Sequence, residues 1–489
     1  MTVRKHNSNS KIFEYKGKPL VLLCATEHYG AVMNRPFDYK KYILECCDKK
    51  QNYTRLFLLF RELQCADNPY STCKPESPDY IAPYKRTGPG LACDGLPKYD
   101  LNEWNDEFFT RLHEFMRLCE ENDIIVEVTL FSDSYSQHLF ELLPVCSENN
   151  INGLPHVDFR QVMSRQVPEL FSVQEKYVKK IITELNRYPN FFYEICNEPA
   201  AFNPVTVTPS EMNDWQDKII EVIRREEKNM KNVHMIAAEE CWLFDPEDAA
   251  NKHVICPTEY MFGGMDIDIV NIHPHPRYLF SGNTYDLGLF MSKQLRIEGL
   301  KRFCMNTYHK DRVLSIDEDN IASLFKDYEG WTIHRKRAWT AVMCGAHYDY
   351  IDFSILWNSP RGTEESRSRI RTWFKYLQEY IAGIDIVSCR PLSDVIIDKP
   401  DHVTDCVLGK EGADYHIYLA DNRELYEEGF GSTLSGSVTV NIPAGKYIVT
   451  FFAPEFGKSI SRNSVILPKN FIELPEFTHD LVVTVEKKG

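Results

Sequence analysis

The 489-residue sequence predicts an α/β chain: a (β/α)8 TIM barrel followed by a small C-terminal antiparallel β-sandwich. Three observations carry this expectation. From about residue 10 to 385, short runs rich in β-branched and aromatic residues alternate with longer amphipathic stretches. Eight such runs occur in series, as a barrel of eight β-then-α units requires. After about Ser388 the helical period disappears and only short strand-like pieces separated by turns remain.

The eight runs are Leu20–Thr26, Tyr53–Phe60, Ile124–Phe131, Phe191–Asn197, His234–Glu239, Ile267–His273, Arg312–Glu318 and Tyr350–Leu356. Helices are expected between them. Asn102–Cys119 would put Trp104, Phe108, Leu112 and Phe115 on one face, and Gln174–Leu185, Asp214–Ile223 and Trp331–Cys344 read in the same way. The connection from Arg61 to about Leu101 is rich in Pro and Gly and too long to be a bare link, and the stretch from Ser132 to Arg160 is also long. Both are expected to shape one rim of the barrel. Tyr415–Ala420, Ser437–Ile442, Lys446–Phe452 and Leu481–Glu486 are the strands expected in the tail, with Pro443-Ala444-Gly445 as a turn. The division is accordingly a barrel over 1–387 and a sandwich over 388–489.

Bulk composition excludes several classes. With 71 acidic against 56 basic residues the net charge is -15, which repels nucleic-acid phosphates, and no basic stripe offsets it. The most apolar runs, such as Leu56–Phe60, are of strand length rather than membrane length. Met1 is followed by no apolar stretch of signal-peptide length, so a cytoplasmic location is expected if that residue is the native start. None of the fifteen Cys form a Cys-x-x-Cys pair, and several (Cys24, Cys196, Cys304, Cys344) fall in apolar segments. Neither a cofactor nor a metal is expected. A homo-oligomer is compatible with all of this.

The polar residues that break the strand pattern sit at strand ends, where barrels of this class build their active sites. The fourth strand closes on Asn197-Glu198-Pro199 and the seventh on Asp317-Glu318-Asp319-Asn320. Two carboxylates across one mouth suit glycosidic cleavage, in which one must be protonated to assist the leaving oxygen and the other ionised. Arg55 on the second strand is the candidate cation beside them. His273 and His275 end the sixth strand, and Glu27 and His28 end the first, suited to hydrogen bonding sugar hydroxyls. Trp357, just past the eighth strand, is either a platform for a sugar ring or ordinary packing.

The segments TEHYGAV, NYTRLF, VEVTLF and YEICNEP, with Glu ending the seventh strand, resemble clan A glycoside hydrolases, and especially a family 5-like bacterial branch. The resemblance implies Glu198 as general acid/base, Asn197 as the partner of a sugar 2-hydroxyl and Glu318 as nucleophile. It also matches Arg55 and His273 to the clan's second-strand Arg and sixth-strand His. The implied activity is retaining hydrolysis of a β-linked glycoside or oligosaccharide. One departure stands out. The clan carries His-x-Tyr on strand six, with the Tyr touching the nucleophile, whereas this chain has His273-x-His275. Tyr278 and His275 are the candidates for that place.

Three rivals stay open. A transglycosylase would use the same residues. A non-catalytic carbohydrate-binding barrel would not need both carboxylates. A metal-dependent hydrolase would need a ligand set at the strand ends and would lose activity with a chelator.

Overall fold

The computed structural model describes residues 2–26, 30–60, 78–202, 205–245, 247, 254–288, 293–321, 324–351, 363–467 and 471–488. Its centre is an eight-stranded parallel sheet: β1 (Leu23–Thr26), β2 (Tyr53–Phe57), β3 (Ile125–Ser132), β4 (Phe191–Asn197), β5 (Ile236–Ala238), β6 (Ile269–Ile272), β7 (Val313–Ile321) and β8 (His347–Ile351). The strands neighbour one another in chain order from β2 to β8, and β8 pairs with β1. Between β1 and β2 the side chain of Asn52 bridges the seam: its Oδ1 accepts from Leu23 N at 3.1 Å and its Nδ2 donates to Val21 O at 2.9 Å. All eight expected strands are present. The last begins earlier than expected, at His347, and positions 352–356 of that run lie outside the described residues.

Each strand leads to a helix: α1 (Tyr39–Asp48), α2 (Asp106–Glu121), α3 (Pro168–Leu185), α4 (Pro209–Glu227), the short α5 (Glu259–Gly263), α6 (Ile297–Thr307), α7 (Tyr328–Met343) and α8 (Glu364–Ala382). Local chemistry sets their starts. Asn105 caps α2, and a capping box of Thr208 and Glu211, with Pro209 in the first turn, starts α4. One expectation is corrected here. Residues 102–104 belong not to a helix but to the strand Pro97–Trp104, hairpinned with Tyr84–Leu91. Trp104 stacks on Tyr84 instead of lying on a helix face. Its spacing from Phe108 mimics a helical repeat across the Asn105 cap, which is where the helix begins.

Inside the barrel the side chains form two layers of opposite character. The lower layer is apolar, with Tyr53, Ile125, Phe192, Ala237, Ile269 and Val313, and is capped by an N-terminal antiparallel sheet whose Phe13 stacks 6.1 Å from Phe192. The layer above is polar, and it carries the site.

The tail contributes β9 (Arg390–Pro391), β10 (Ile396–Asp398), β11 (Val403–Lys410), β12 (Asp414–Asp421), β13 (Leu434–Val440), β14 (Gly445–Ala453), β15 (Lys458–Leu467), β16 (Phe471–Phe477) and β17 (Asp480–Lys487). They make a six-stranded sheet, ordered β9-β11-β12-β17-β14-β15, and a three-stranded sheet, β10-β13-β16, around one apolar core. The sandwich packs on α7, which is why that helix is buried along almost its whole length. Arg335 forks onto Asp480, and Trp339 stacks 5.4 Å from Tyr418. Among the described residues no helix is long and apolar enough to cross a membrane.

Candidate active site

Glu198 and Glu318 meet at the C-terminal mouth of the barrel. Both residues have left-handed backbone, with φ of 50° and 48°. Non-glycine residues adopt this conformation at some cost, and it concentrates where a side chain must be aimed. In β7 the register against β8 slips between Ile316 and Asp319 and again between Asp319 and Ile321. The resulting bulge sends the three successive acids in three directions. Asp317 turns into the buried polar layer, where Ser315 donates to it. Burial first, then the charges of Glu127 and Asp349, raises its pKa well above the carboxylate range. Asp319 is held by Arg337 Nε and the Tyr348 hydroxyl, both at 2.5 Å. Glu318 alone reaches Arg55, whose Nη1 donates to its Oε1 at 2.5 Å, and its own N–H is fixed by Asp349 at 2.6 Å.

Arg55 is completely buried and is shared. Its Nη2 donates to both oxygens of Glu194, at 2.8 and 2.7 Å, and to Asn197 Oδ1 at 3.0 Å. Glu127 lies 3.6 Å from its Nε and accepts from Tyr53 and from Asn271 Nδ2. Burial, then the neighbouring Glu194, pushes the Glu127 pKa up to about 8. Glu127, Glu194 and Asn197 hold the guanidinium and Asn271 ties the two glutamates together, so its aim at Glu318 is set by the buried barrel interior and not by solvent.

On the other side, Glu198 Oε2 accepts from the Tyr135 hydroxyl at 2.6 Å, and His273 Nδ1 lies 2.9 Å from Glu198 Oε1 and 3.8 Å from Glu318 Oε2. Burial alone would lower the His273 pKa, but Glu239, Glu318 and Glu198 outweigh it and hold the pKa well above the ordinary value. Glu239, at the end of β5, stands 4.0 Å from His273 Nε2, and burial raises its own pKa to about 7. Asp133, at the end of β3, is likewise raised by burial to about 7. Asn197 Nδ2 donates to the Tyr135 hydroxyl at 2.9 Å, tying the acid/base candidate to the arginine layer.

The structure thus brings together Glu198, Glu318, Asn197, Arg55 and His273. His275 is buried edge-on against Trp242, 4.4 Å away, and among the described residues its ring nitrogens have no hydrogen-bond partner. Burial, then His273, lowers its pKa to about 3. The Tyr278 hydroxyl donates to the His273 carbonyl at 2.7 Å and reaches Glu239 at 3.3 Å. Neither takes the nucleophile-touching place left open on strand six. Glu27, His28 and Trp357 lie outside the described residues.

Glu127, Glu194, Asp133, Tyr135, Glu239 and Asp349 were not singled out from sequence. Glu127 and Glu194 did leave a signal, each being a lone acid inside a strand otherwise apolar enough to be buried. Tyr135 and Asp133 lie in a loop, where no period marks them.

Ligand-type atoms of Glu198, His273 and Glu318 all lie within 4.8 Å of one another, the spacing at which three groups could share a metal ion. A cation there would sit against the guanidinium already bonded to Glu318.

Comparison with known proteins agrees with the architecture. A structure described as a glycoside hydrolase superposes with a TM-score of 0.61 at 11% identity, over 100% of this chain and 97% of that one. A family 5 glycoside hydrolase from Bacteroides vulgatus gives 0.59 at 11% identity, over 99% and 94%. The chain has the fold of family 5 glycoside hydrolases. An endo-1,4-beta-mannanase from Rhizomucor miehei superposes over 78% of this chain and all of its own, at 12% identity and a TM-score of 0.51. In sequence, a family profile described as a domain of unknown function (DUF6298) matches residues 73–153. No curated protein matches.

Proposed function

We propose that the chain is a retaining β-glycoside hydrolase in which Glu318 is the nucleophile and Glu198 the general acid/base. The observation that carries this reading is the pairing itself. One oxygen of each of two buried carboxylates lies within 4.8 Å of the other, close enough for the shorter of the two spacings that glycosidases use, and each has a distinct environment. Retaining enzymes hold their carboxyl groups about 5–5.5 Å apart, whereas inverting ones leave about 6.5–9.5 Å for a water. Arg55 on Glu318 favours the ionised form that attacks the anomeric carbon. Tyr135 and His273 orient Glu198 to give a proton to the leaving oxygen and, in the second half-reaction, to take one from water.

A panel of aryl glycosides tests this, with the configuration of the first-formed product read by proton NMR. Retention on a β-glycoside is expected, and inversion would contradict the nucleophile assignment. The β-mannosides come first in the panel because a mannanase shares the fold. Exo-action is proposed on the strength of the long second and third βα connections. A transglycosylase would show itself by products longer than the donor. The close trio of Glu198, His273 and Glu318 favours a second, metal-dependent reading, which predicts loss of activity with a chelator. The glycosidase reading predicts none.

A further inference from the structure

The retaining mechanism gives no task to Asp133, a carboxylate only 4% exposed that follows β3 directly and lies close enough to Glu198 to feel its charge. An acid is rarely buried unless its oxygens are satisfied. Those of Asp133 are taken up by main chain. Its Oδ1 accepts from Tyr135 N at 3.0 Å, and the carboxylate also accepts from the N–H of Ala200.

These two amides belong to different segments that converge on Glu198. Ala200 lies two residues beyond Glu198, in the short strand Ala200–Ala201 that pairs with Trp242 and Leu243. Tyr135 lies in the loop after β3 and donates its hydroxyl to Glu198 Oε2 at 2.6 Å. Main chain joins the same two segments, since Asp133 N donates to Asn197 O at 3.1 Å.

Both segments carry backbone that needs holding. Tyr135 and Glu198 have φ of 56° and 50°, a conformation that non-glycine residues keep only where the surroundings impose it. An aspartate that accepts the amide two residues on replaces part of a backbone turn, and here it sets the loop of Tyr135. The bond to Ala200 sets the turn of Glu198. One buried side chain thereby fixes both partners of the bond between Tyr135 and Glu198.

We propose that Asp133 is a positioning residue for the acid/base: it holds the turn that bears Glu198 against the loop that bears Tyr135, and so aims the Glu198 carboxyl at the leaving oxygen. This rests on the reading of Glu198 as the acid/base. Proton donation requires an approach of about 2.6–3.2 Å, and a misplacement of about 1 Å can cost about 100-fold. The loss on removing Asp133 should therefore grow with the leaving group's need for a proton.

The measurement is kcat/KM, which reports the glycosylation step, for the 2,4-dinitrophenyl and phenyl glycosides of one sugar. Dinitrophenolate leaves with little help, whereas phenolate needs the proton. Asp133→Ala should lower the value about 30–100-fold on the phenyl glycoside and by less than about 3-fold on the dinitrophenyl one. Asp133→Asn keeps an accepting oxygen in a nearly isosteric side chain and should recover most of that loss. A merely structural role would lower both substrates alike, in step with the folded fraction. Asp133→Ser, too short to span both amides, serves if Asp133→Ala does not fold, with the same split expected. Hydrogen exchange read by mass spectrometry follows the clamp without a substrate: in Asp133→Ala, peptides spanning 133–136 and 197–202 should exchange faster than in wild type, while those of β6 should not. The proposal is overturned if the two glycosides lose equally, if neither loses, or if exchange in both segments is unchanged. If the wild type hydrolyses no aryl glycoside, the acid/base reading falls by itself, and faster exchange in both segments would keep Asp133 as the clamp of this turn.

Discussion

Nη1 of Arg55 donates to Oε1 of Glu318 across the barrel, 2.5 Å away, while the other arm of the same guanidinium is held by both oxygens of Glu194. The arginine therefore has no freedom to follow a misplaced partner. Arg55→Lys keeps the charge but cannot make the fork. A fall in kcat/KM of about 100-fold is expected, equivalent to about 2.7 kcal/mol. With the nucleophile easier to protonate, the acidic limb of the rate profile should move to higher pH. A pH–rate profile checks both. An unchanged rate and limb would make Arg55 structural only.

The bulge in β7 predicts how its three acids differ. Glu318→Ala should lower turnover at least about 10,000-fold on every substrate, and azide should restore a product of inverted configuration. Asp317→Asn replaces a group whose pKa burial already raises far above the carboxylate range, so its effect on turnover should be much smaller. Steady-state kinetics on the two variants separate them. An active Glu318→Ala beside an inactive Asp317→Asn would move the nucleophile to Asp317.

Asp319 serves the site from outside. Its contacts with Arg337 and Tyr348 anchor the bulge from which Glu318 projects, and Arg337 also donates to the carbonyls of Leu287 and Leu295. Arg337→Met leaves a buried charge unpaired, a loss of about 3–5 kcal/mol that urea denaturation would measure. Activity should fall further than the folded fraction does, because Glu318 loses its aim.

Stability should carry the imprint of Glu127. Its folded pKa is raised to about 8, from an ordinary value near 4.5, by burial and by Glu194. Its contribution is therefore fully present below about pH 4.5 and is lost as pH rises through about 8. The neutral buried histidines, among them His275, His334 and His347, act the other way and favour folding above their ordinary pKa near 6.5. The difference between Glu127→Gln and wild type isolates the first effect. The variant's Tm should gain on wild type steadily from pH 5 to pH 8.5. A difference that does not change with pH would mean that Glu127 is ionised in the folded protein.

The barrel was legible because each strand must be buried on both faces and each helix on one, so hydrophobic period and segment length are written into the chain. Glu198 and Glu318 were legible for a related reason, as acids placed where apolar strands end. The hairpin around Trp104 was not, since two-residue alternation and four-residue helical spacing overlap across the Asn105 cap. Nor was the company Arg55 keeps. Which of several strand acids face one guanidinium depends on the closure and stagger of the barrel, and these are properties of all eight strands together. Tyr135 reaches Glu198 from a loop with φ of 56°, a backbone state that no local sequence rule assigns to a tyrosine.

The central claim is that Glu318 forms a covalent bond to the sugar. An activated 2-deoxy-2-fluoro β-glycoside of the best substrate would slow release of the intermediate and let it accumulate, and peptide mass spectrometry of the inactivated protein would locate the label. The account predicts one sugar per chain, attached to Glu318, with activity returning as the adduct turns over. A label on Glu198, Asp317 or any other residue would contradict it, as would steady turnover to an inverted product with no adduct at all.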